Sequence, residues 1–510
     1  MILPKEYRPL IPFLTPILCF LYFLVHYRSP AYFAGGVLVL AGYAITLSVW
    51  EKIRTGPWGM IALGLLCIGL PAAGLLQFLQ WGDIGDLDHA FYANALWNFR
   101  HGHLDYAYEN INVLGIHAQY LAAAVWIPAQ AMFGEIGLKL GQAACLITAS
   151  ILAFRHLGPV KSASWGMTAL LLSPPIASQF FFGFHIEFFG APFLILAMAA
   201  YRESKLGWFL ALTAGLSYCK EVYTLAIAGI LIIALLEKRN WKWILYPALL
   251  CCAQMAVYWY IIVPSYAPRG NFLKALFPVS LSEATGMWAR PETLLFALLV
   301  TFPFLPLLAR LPKRYLWLPV PLLLFYASFS DSIFRVVWQH YTFLFALLCA
   351  GGIVMQKDAT PDGGRFSHKI LFACATVSLL AYPAWRQILK TPVGSMARIE
   401  AVRELQARVP DQASLLINAG FTARFSAREK VMIWGERSLW GKRSAPIEDF
   451  EYVLLDGRFK PEWLTDPDDL TAGLAKLSAS PDWSTEYAQD SVFLFHRQEK
   501  TSFRQSTGLP

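Results

Sequence analysis

Long charge-free apolar runs, broken by short polar segments, fill the first 389 of 510 residues. A bilayer core about 30 Å thick needs about 20 helical residues at about 1.5 Å each. Ser29 to Trp50, Thr55 to Gly82 and Trp243 to Pro268 meet this without a single charge. The pattern predicts spans near 9–26, 31–50, 57–80, 136–154, 166–182, 188–201, 206–219, 222–236, 243–263, 291–309, 315–330, 337–355 and 369–389. The fold class expected is mainly α: a polytopic helical membrane protein of about 13 spans followed by a small C-terminal α/β domain. The domains read as 1–389, with an outer loop at 81–135, and 390–510. In the tail, 398–408 and 468–477 read as helices. The runs at 414–417, 431–434, 452–455 and 492–495 read as short strands.

Charge sharpens this division. Apolar residues make up 56% of the chain and charged residues 15%, far below the share in a soluble protein. Residues 390–510 hold 16 basic and 17 acidic side chains, which leaves 26 basic and 17 acidic in the first 389. A soluble enzyme, a nucleic-acid binder and a disordered scaffold are excluded. With the N-terminus in the cytoplasm, 17 of the 26 basic residues fall in inner loops, as cytoplasmic Lys/Arg bias requires. An odd number of spans then places the tail outside. Ala118 to Phe133 is apolar enough to span, but counting it would move the later basic clusters outside. It is therefore expected to lie along the outer surface as a juxtamembrane helix. Lys5 and Arg8 precede an apolar run with no small-x-small cleavage site after it, so a retained first span is expected. The eight cysteines lie in apolar stretches without CxxC spacing and read as small hydrophobes.

In this topology the unusual polar residues gather at the outer face. The first loop holds Asp83, Asp86, Asp88 and His89, then Asn94-Ala-Leu-Trp97-Asn98, and later His117. The turn between spans five and six holds His185-Ile-Glu187, and that between seven and eight holds Lys220-Glu221. Asp331, Arg335, Gln339, His340 and Tyr341 sit around the eleventh and twelfth spans. Each group alone has a plain explanation: solvated loop acids, an interfacial ion pair, an aromatic belt. Ionisable groups at a membrane boundary are expensive unless paired or functional. Five groups at one face point to a shared polar cavity. Arg269 and Arg290 are further cations near that face. Arg424, Arg428 and Lys430 read as an exposed basic helix face in the tail.

These residues carry a resemblance. Asp83-Ile-Gly…Asp88…Asn94-Ala-Leu-Trp97-Asn98, Gly115-Ile-His117, Phe184-His185-Ile-Glu187, Cys219-Lys220-Glu221, Gln339-His340-Tyr341, Val409-Pro410-Asp411 and Tyr452-Val-Leu-Leu-Asp456 occur in order. Over about residues 60–460 the chain resembles a family of bacterial polytopic membrane proteins, known by a domain of unknown function, that is similar to the GT-C glycosyltransferases. Members read more like Asp-x-Gly-x-x-Asp-Gln-x-x-Trp. This chain has extra residues between Asp88 and Trp97, which leaves open which Asp is equivalent to which.

The resemblance implies a glycosyltransferase of the bacterial inner membrane that uses a polyprenyl-phosphate sugar donor. The acceptor would be an envelope glycan, lipid or protein on the extracytoplasmic side. An acidic residue of the first outer loop is then catalytic, Asp83 first and Asp88 second. Chemistry agrees: an acceptor hydroxyl needs a base, and a phosphate leaving group needs cations. His117, His185, Glu187, Lys220, Glu221, Arg335, His340 and Tyr341 are expected to bind substrate. A divalent metal on Asp83, Asp88, His117, His185 or Glu187 is an option, although the spacings match no dedicated metal motif. The alternatives are a transporter or flippase using the same groups as a proton relay, and a non-catalytic envelope assembly factor.

Overall fold

The computed structural model describes residues 57–81, 86–102, 105–106, 111–112, 117–154, 160–266, 281–301, 304, 311–329, 342–355, 396–434, 446–457, 467–489 and 491–498. The spans expected at 9–26, 31–50 and 369–389 lie outside the described residues, as do Asp83, Arg269, Asp331, Arg335, Gln339, His340 and Tyr341.

In chain order the helices are α1 (Trp58–Trp81), α2 (Asp86–Arg100), α3 (Tyr120–Phe154), α4 (Val160–Leu172), α5 (Gly190–Arg202), α6 (Leu206–Ser217), α7 (Val222–Leu236) and α8 (Lys242–Val257). They continue with α9 (Leu281–Trp288), α10 (Pro291–Thr301), α11 (Val320–Ser328), α12 (Thr342–Val354), α13 (Met396–Arg408) and α14 (Pro467–Ala479). The strands are β1 (Asp105–Tyr106), β2 (Ile111–Asn112), β3 (Leu415–Ile417), β4 (Val431–Ile433), β5 (Tyr452–Asp456), β6 (Trp483–Gln489) and β7 (Val492–Arg497). The chain forms two compact units, Met1–Gln77 with Leu114–Val393 and Phe78–Val113 with Gly394–Pro510.

The first unit is helical. Among the described residues three helical stretches are long and apolar enough to cross a membrane: Trp58–Leu79, Tyr120–Phe154 and Lys242–Tyr266. Their outward residues are apolar, such as Leu65, Ile68, Leu249 and Ile261, as suits a lipid-facing wall. α3 contains both the segment expected to lie on the surface and the fourth expected span. The two halves meet at Gly134, whose φ of 60° is a conformation that glycine alone adopts readily. Lys139 sits inside α3, buried, and donates to the Phe182 carbonyl. α8 runs through a π turn at Tyr258–Ile262 into a last helical turn at Val263–Tyr266.

α5, α6 and α7 form an up-down-up set joined by tight turns. At the C-terminal ends of α5 and α7, Glu237 accepts the Tyr201 and Tyr315 hydroxyls at 2.9 Å each and pairs with Arg314 at 3.0 Å. This knot ties three segments together at their polar ends. The N-terminal ends of α5 and α7 follow the His185–Glu187 and Lys220–Glu221 turns.

The second unit is built on a five-stranded sheet of order β4-β3-β5-β7-β6. β4, β3 and β5 are parallel, with Leu416 opposite Met432 and Val453. β7 and β6 close the sheet as an antiparallel hairpin. β5 is buried along its whole length, as a central apolar strand should be. Its core joins Leu416, Trp434, Phe450, Val453, Leu455 and Phe495 with Leu470 and Leu477 of α14. Asn418 and Asp456 lock neighbouring strand ends by reciprocal bonds: Asn418 Nδ2 donates to the Asp456 carbonyl at 2.8 Å, and the Asp456 amide donates to Asn418 Oδ1 at 2.9 Å.

The tail's basic stretch is not an exposed helix face. Arg428 is buried, and its guanidinium donates to the carbonyls of Phe425, Pro410 and Ala413 at 2.9–3.2 Å. A planar group with five donors can satisfy several carbonyls at once, so it crosslinks a loop-rich segment that has few ladder bonds.

Candidate functional site

Four of the expected site residues come together in the first unit at the two turns that open α5 and α7, and His117 joins them. Three bonds hold the first turn from outside. The His185 amide donates to Gln142 Oε1 at 3.0 Å. Trp126 Nε1 donates to the Ile186 carbonyl at 2.9 Å, and the Tyr223 hydroxyl donates to the Glu187 carbonyl at 2.6 Å. Gly190 is required here, because a Cβ at that position would collide with the Tyr223 ring.

Within this frame Lys220 Nζ donates to Glu187 Oε1 at 2.7 Å, and both side chains are almost fully buried. His185 Nδ1 lies 3.6 Å from the same carboxylate oxygen. The second carboxylate, Glu221, is held differently. His117 Nδ1 is 2.6 Å from Glu221 Oε1, and the Ala118 amide donates to Oε2 at 3.1 Å. The cluster therefore spans 104 residues of sequence, from the start of α3 to the start of α7.

Electrostatics explains how two carboxylates survive this burial. Desolvation opposes ionisation of Glu187, but Lys220 and His185 outweigh it and hold the carboxyl below its usual range. Desolvation likewise opposes ionisation of Glu221, and His117 and Lys220 bring it down to about 2. Both acids also sit in or beside the first turn of a helix, where the exposed amides favour negative charge. The arrangement gives a buried, mostly neutralised set of donors and acceptors that can orient a polar ligand or relay a proton.

The cluster also limits metal chemistry. Glu187 is committed to Lys220, and Glu221 to His117 and the Ala118 amide. Among the described residues no three His, Cys, Asp or Glu side chains converge as ligands. Asp83, the other candidate ligand beside Asp88, lies outside the described residues.

Asp88 belongs to the second unit. It lies half-buried in the first turn of α2, as the third residue of that helix. Arg290 is exposed between α9 and α10. Sequence reading missed Gln142, Trp126 and Tyr223, which shape the cluster. The signal for Gln142 was a polar side chain on an otherwise apolar span, and Trp126 and Tyr223 carried no signal beyond aromatic content.

This architecture is similar to that of ArnT from Cupriavidus metallidurans. The crystal structure bound to undecaprenyl phosphate matches with a TM-score of 0.52, covering 86% of this chain and 98% of that one at 11% identity. The apo structure matches with a TM-score of 0.50, covering 85% and 97% at 12% identity. The shared fold is mostly helical with a small C-terminal sheet. The chain belongs to the family described as predicted membrane protein (DUF2079), whose profile matches residues 83–494. No curated protein matches it by sequence.

Proposed function

We propose that the protein is an integral-membrane glycosyltransferase of GT-C type. It transfers a sugar from a polyprenyl-phosphate-linked donor to an acceptor of the cell envelope, on the extracytoplasmic side of the bacterial inner membrane. The observation that carries this reading is the fold match over 98% of a protein crystallised with undecaprenyl phosphate. The topology that goes with it has about 13 spans, a cytoplasmic N-terminus and an extracytoplasmic C-terminal domain, and rests on the Lys/Arg bias.

The acceptor hydroxyl attacks the anomeric carbon of the donor. A carboxylate takes its proton, the new glycosidic C–O bond forms, and the C–O bond to phosphate breaks. Polyprenyl phosphate leaves with the electron pair. Asp83 is the assigned base, with Asp88 as the other choice. Arg335 and Lys220 are assigned to the donor phosphate, where fixed positive charge stabilises the leaving group. Lys220 is shared with Glu187 at 2.7 Å, so only its remaining N–H donors are open to a phosphate. His117, His185, Glu187, Glu221, His340 and Tyr341 are assigned to substrate binding. A divalent metal would draw on Asp83, Asp88, His117, His185 or Glu187.

Asp83→Asn tests this directly. The variant should insert and fold as the wild type does and lose transfer. Full activity would remove Asp83 as base, and the same loss in Asp88→Asn alone would move the assignment there.

A further inference from the structure

The Asn94-Ala-Leu-Trp97-Asn98 motif has no part in the chemistry above, yet the structure gives it a distinct place. α2 is not an apolar helix by composition, since it reads Asp-Leu-Asp-His-Ala-Phe-Tyr-Ala-Asn-Ala-Leu-Trp-Asn-Phe-Arg. Even so, every residue from Tyr92 to Leu96 is buried, and so are His89, Ala90 and Asn98. The burial comes from the C-terminal region. α2 packs on the 3-10 turn Ala419–Phe425, more than 300 residues away in sequence.

Asn94 makes the specific contact. Its Nδ2 donates to the carbonyls of Ser426 and Arg428, at 2.8 and 2.9 Å. Carbonyls only accept, so the amide nitrogen must face them, and an –NH2 group on a short stem is what can meet two at once. The remaining oxygen, Oδ1, accepts Asn98 Nδ2 at 3.1 Å from one turn further along α2. The motif is therefore an i, i+4 unit in which Asn94 uses both its amide nitrogen and its oxygen, which fixes both the height and the rotation of the helix. A second clamp lies at the other end of the segment. Arg424 donates to the Leu79 carbonyl at 3.2 Å, its guanidinium sits 5.7 Å from the centre of the Phe78 ring, and Phe78 stacks on His89 at 4.8 Å. Arg424 is itself held by Gln406 Oε1 at 2.9 Å. The 419–428 segment thus holds both the Phe78–Leu79 end of α1 and α2, the helix that carries Asp88.

We propose that Asn94 and Asn98 are positioning residues, through which the C-terminal domain sets the register of α2 and of the Asp88 it carries. On this account the domain is part of the catalytic machinery and not an appended acceptor-binding module. Asn94 acts through the helix it anchors. It holds α2, and with it Asp88, in one orientation. Misplacing a reacting group by about 1 Å can lower a rate about a hundredfold, so a helix held by two carbonyls is a sensitive control point. The proposal rests on the reading of Asp83 or Asp88 as base.

The test uses the full chain in lipid nanodiscs, comparing wild type with Asn94→Asp and Asn98→Ala. Asn94→Asp keeps the size but turns an acceptor toward two carbonyls. Amide exchange across residues 86–100 should accelerate at least about tenfold, with exchange in α5 to α7 unchanged. Under the same conditions kcat should fall about tenfold or more while KM for the lipid donor stays within about twofold, as loss of transition-state alignment requires. Asn98→Ala keeps both carbonyl bonds of Asn94 and removes the bond that Asn98 donates to it, so it should move both readouts the same way by less, and it serves if Asn94→Asp fails to fold. Unchanged exchange in 86–100 would overturn the clamp. Faster exchange with unchanged kcat would overturn the positioning role. Failure of the base assignment is seen separately, as full transfer by both Asp83→Asn and Asp88→Asn, and does not alter the exchange readout.

Discussion

Replacing Lys220 with Met tests whether the buried cluster is a charge pair held together by mutual need. The Lys220 and Glu187 charges stand 2.7 Å apart, and their attraction is about 6 kcal/mol at an effective dielectric of about 20. Desolvation costs several kcal/mol for each ion, so the intact pair is close to neutral against an apolar replacement of similar size. Removing only the lysine is different. It leaves Glu187 in the same pocket with only His185 beside it at 3.6 Å, and breaking a buried pair in this way costs about 3–5 kcal/mol. The double variant Lys220→Met/Glu187→Gln removes both charges and should recover most of that loss. Unfolding in mixed micelles, followed by fluorescence for the wild type, both single variants and the double variant, gives the coupling energy. A coupling above about 2 kcal/mol is expected. A single-variant loss below about 1 kcal/mol, or a double variant no better than Lys220→Met, would refute the reasoning.

Three further outcomes follow from the same geometry. The Glu221 carboxyl sits at about 2 against its ordinary value of 4.5, so its ionised form stabilises the fold above the ordinary value and that contribution fades as pH falls from there toward 2. The stability gap between wild type and Glu221→Gln should therefore shrink over that window, and a gap that widens on acidification would contradict the assigned pairing. Trp126→Phe removes the donor to the buried Ile186 carbonyl and should lower stability by about 1–3 kcal/mol, checked by denaturant midpoint. Gly190→Ala pushes a methyl group into the Tyr223 ring, so about 1–3 kcal/mol should be lost, with weaker protection of the 185–189 turn in amide exchange.

Much of this molecule is legible in its sequence because its signals are local. Charge-free runs gave the positions of α1, α5, α6, α7 and α8 to within a few residues, since burying uncharged helix in lipid leaves no competing pattern. β3, β4, β5 and β7 were visible as short apolar runs. β6 was missed: it is an edge strand whose Trp-Ser-Thr-Glu-Tyr-Ala-Gln sequence is largely polar and only partly covered. His185, Glu187, Lys220 and Glu221 stood out because ionisable residues beside apolar spans need a reason, and the structure brings them together with His117. What pairs with what was not legible. Spacing cannot say that Lys220 takes Glu187 while His117 takes Glu221. Nor can it show that Asn94 meets backbone carbonyls 332 and 334 residues away, since a carbonyl leaves no trace in side-chain identity. Arg428 was misread for the same reason: a buried guanidinium serving three carbonyls looks, in sequence, like any exposed one.

The central claim is transfer of a sugar from a lipid phosphate, and mass balance tests it most directly. The full-length protein in nanodiscs would be given polyprenyl-phosphate sugars extracted from bacterial membranes, together with envelope acceptors, and the lipids followed by mass spectrometry. The account predicts release of one sugar-free polyprenyl phosphate for each sugar gained by an acceptor, with none released by Asp83→Asn. Lipid-linked sugar that crosses the bilayer in proteoliposomes, or remains bound with its glycosidic bond intact, would contradict it.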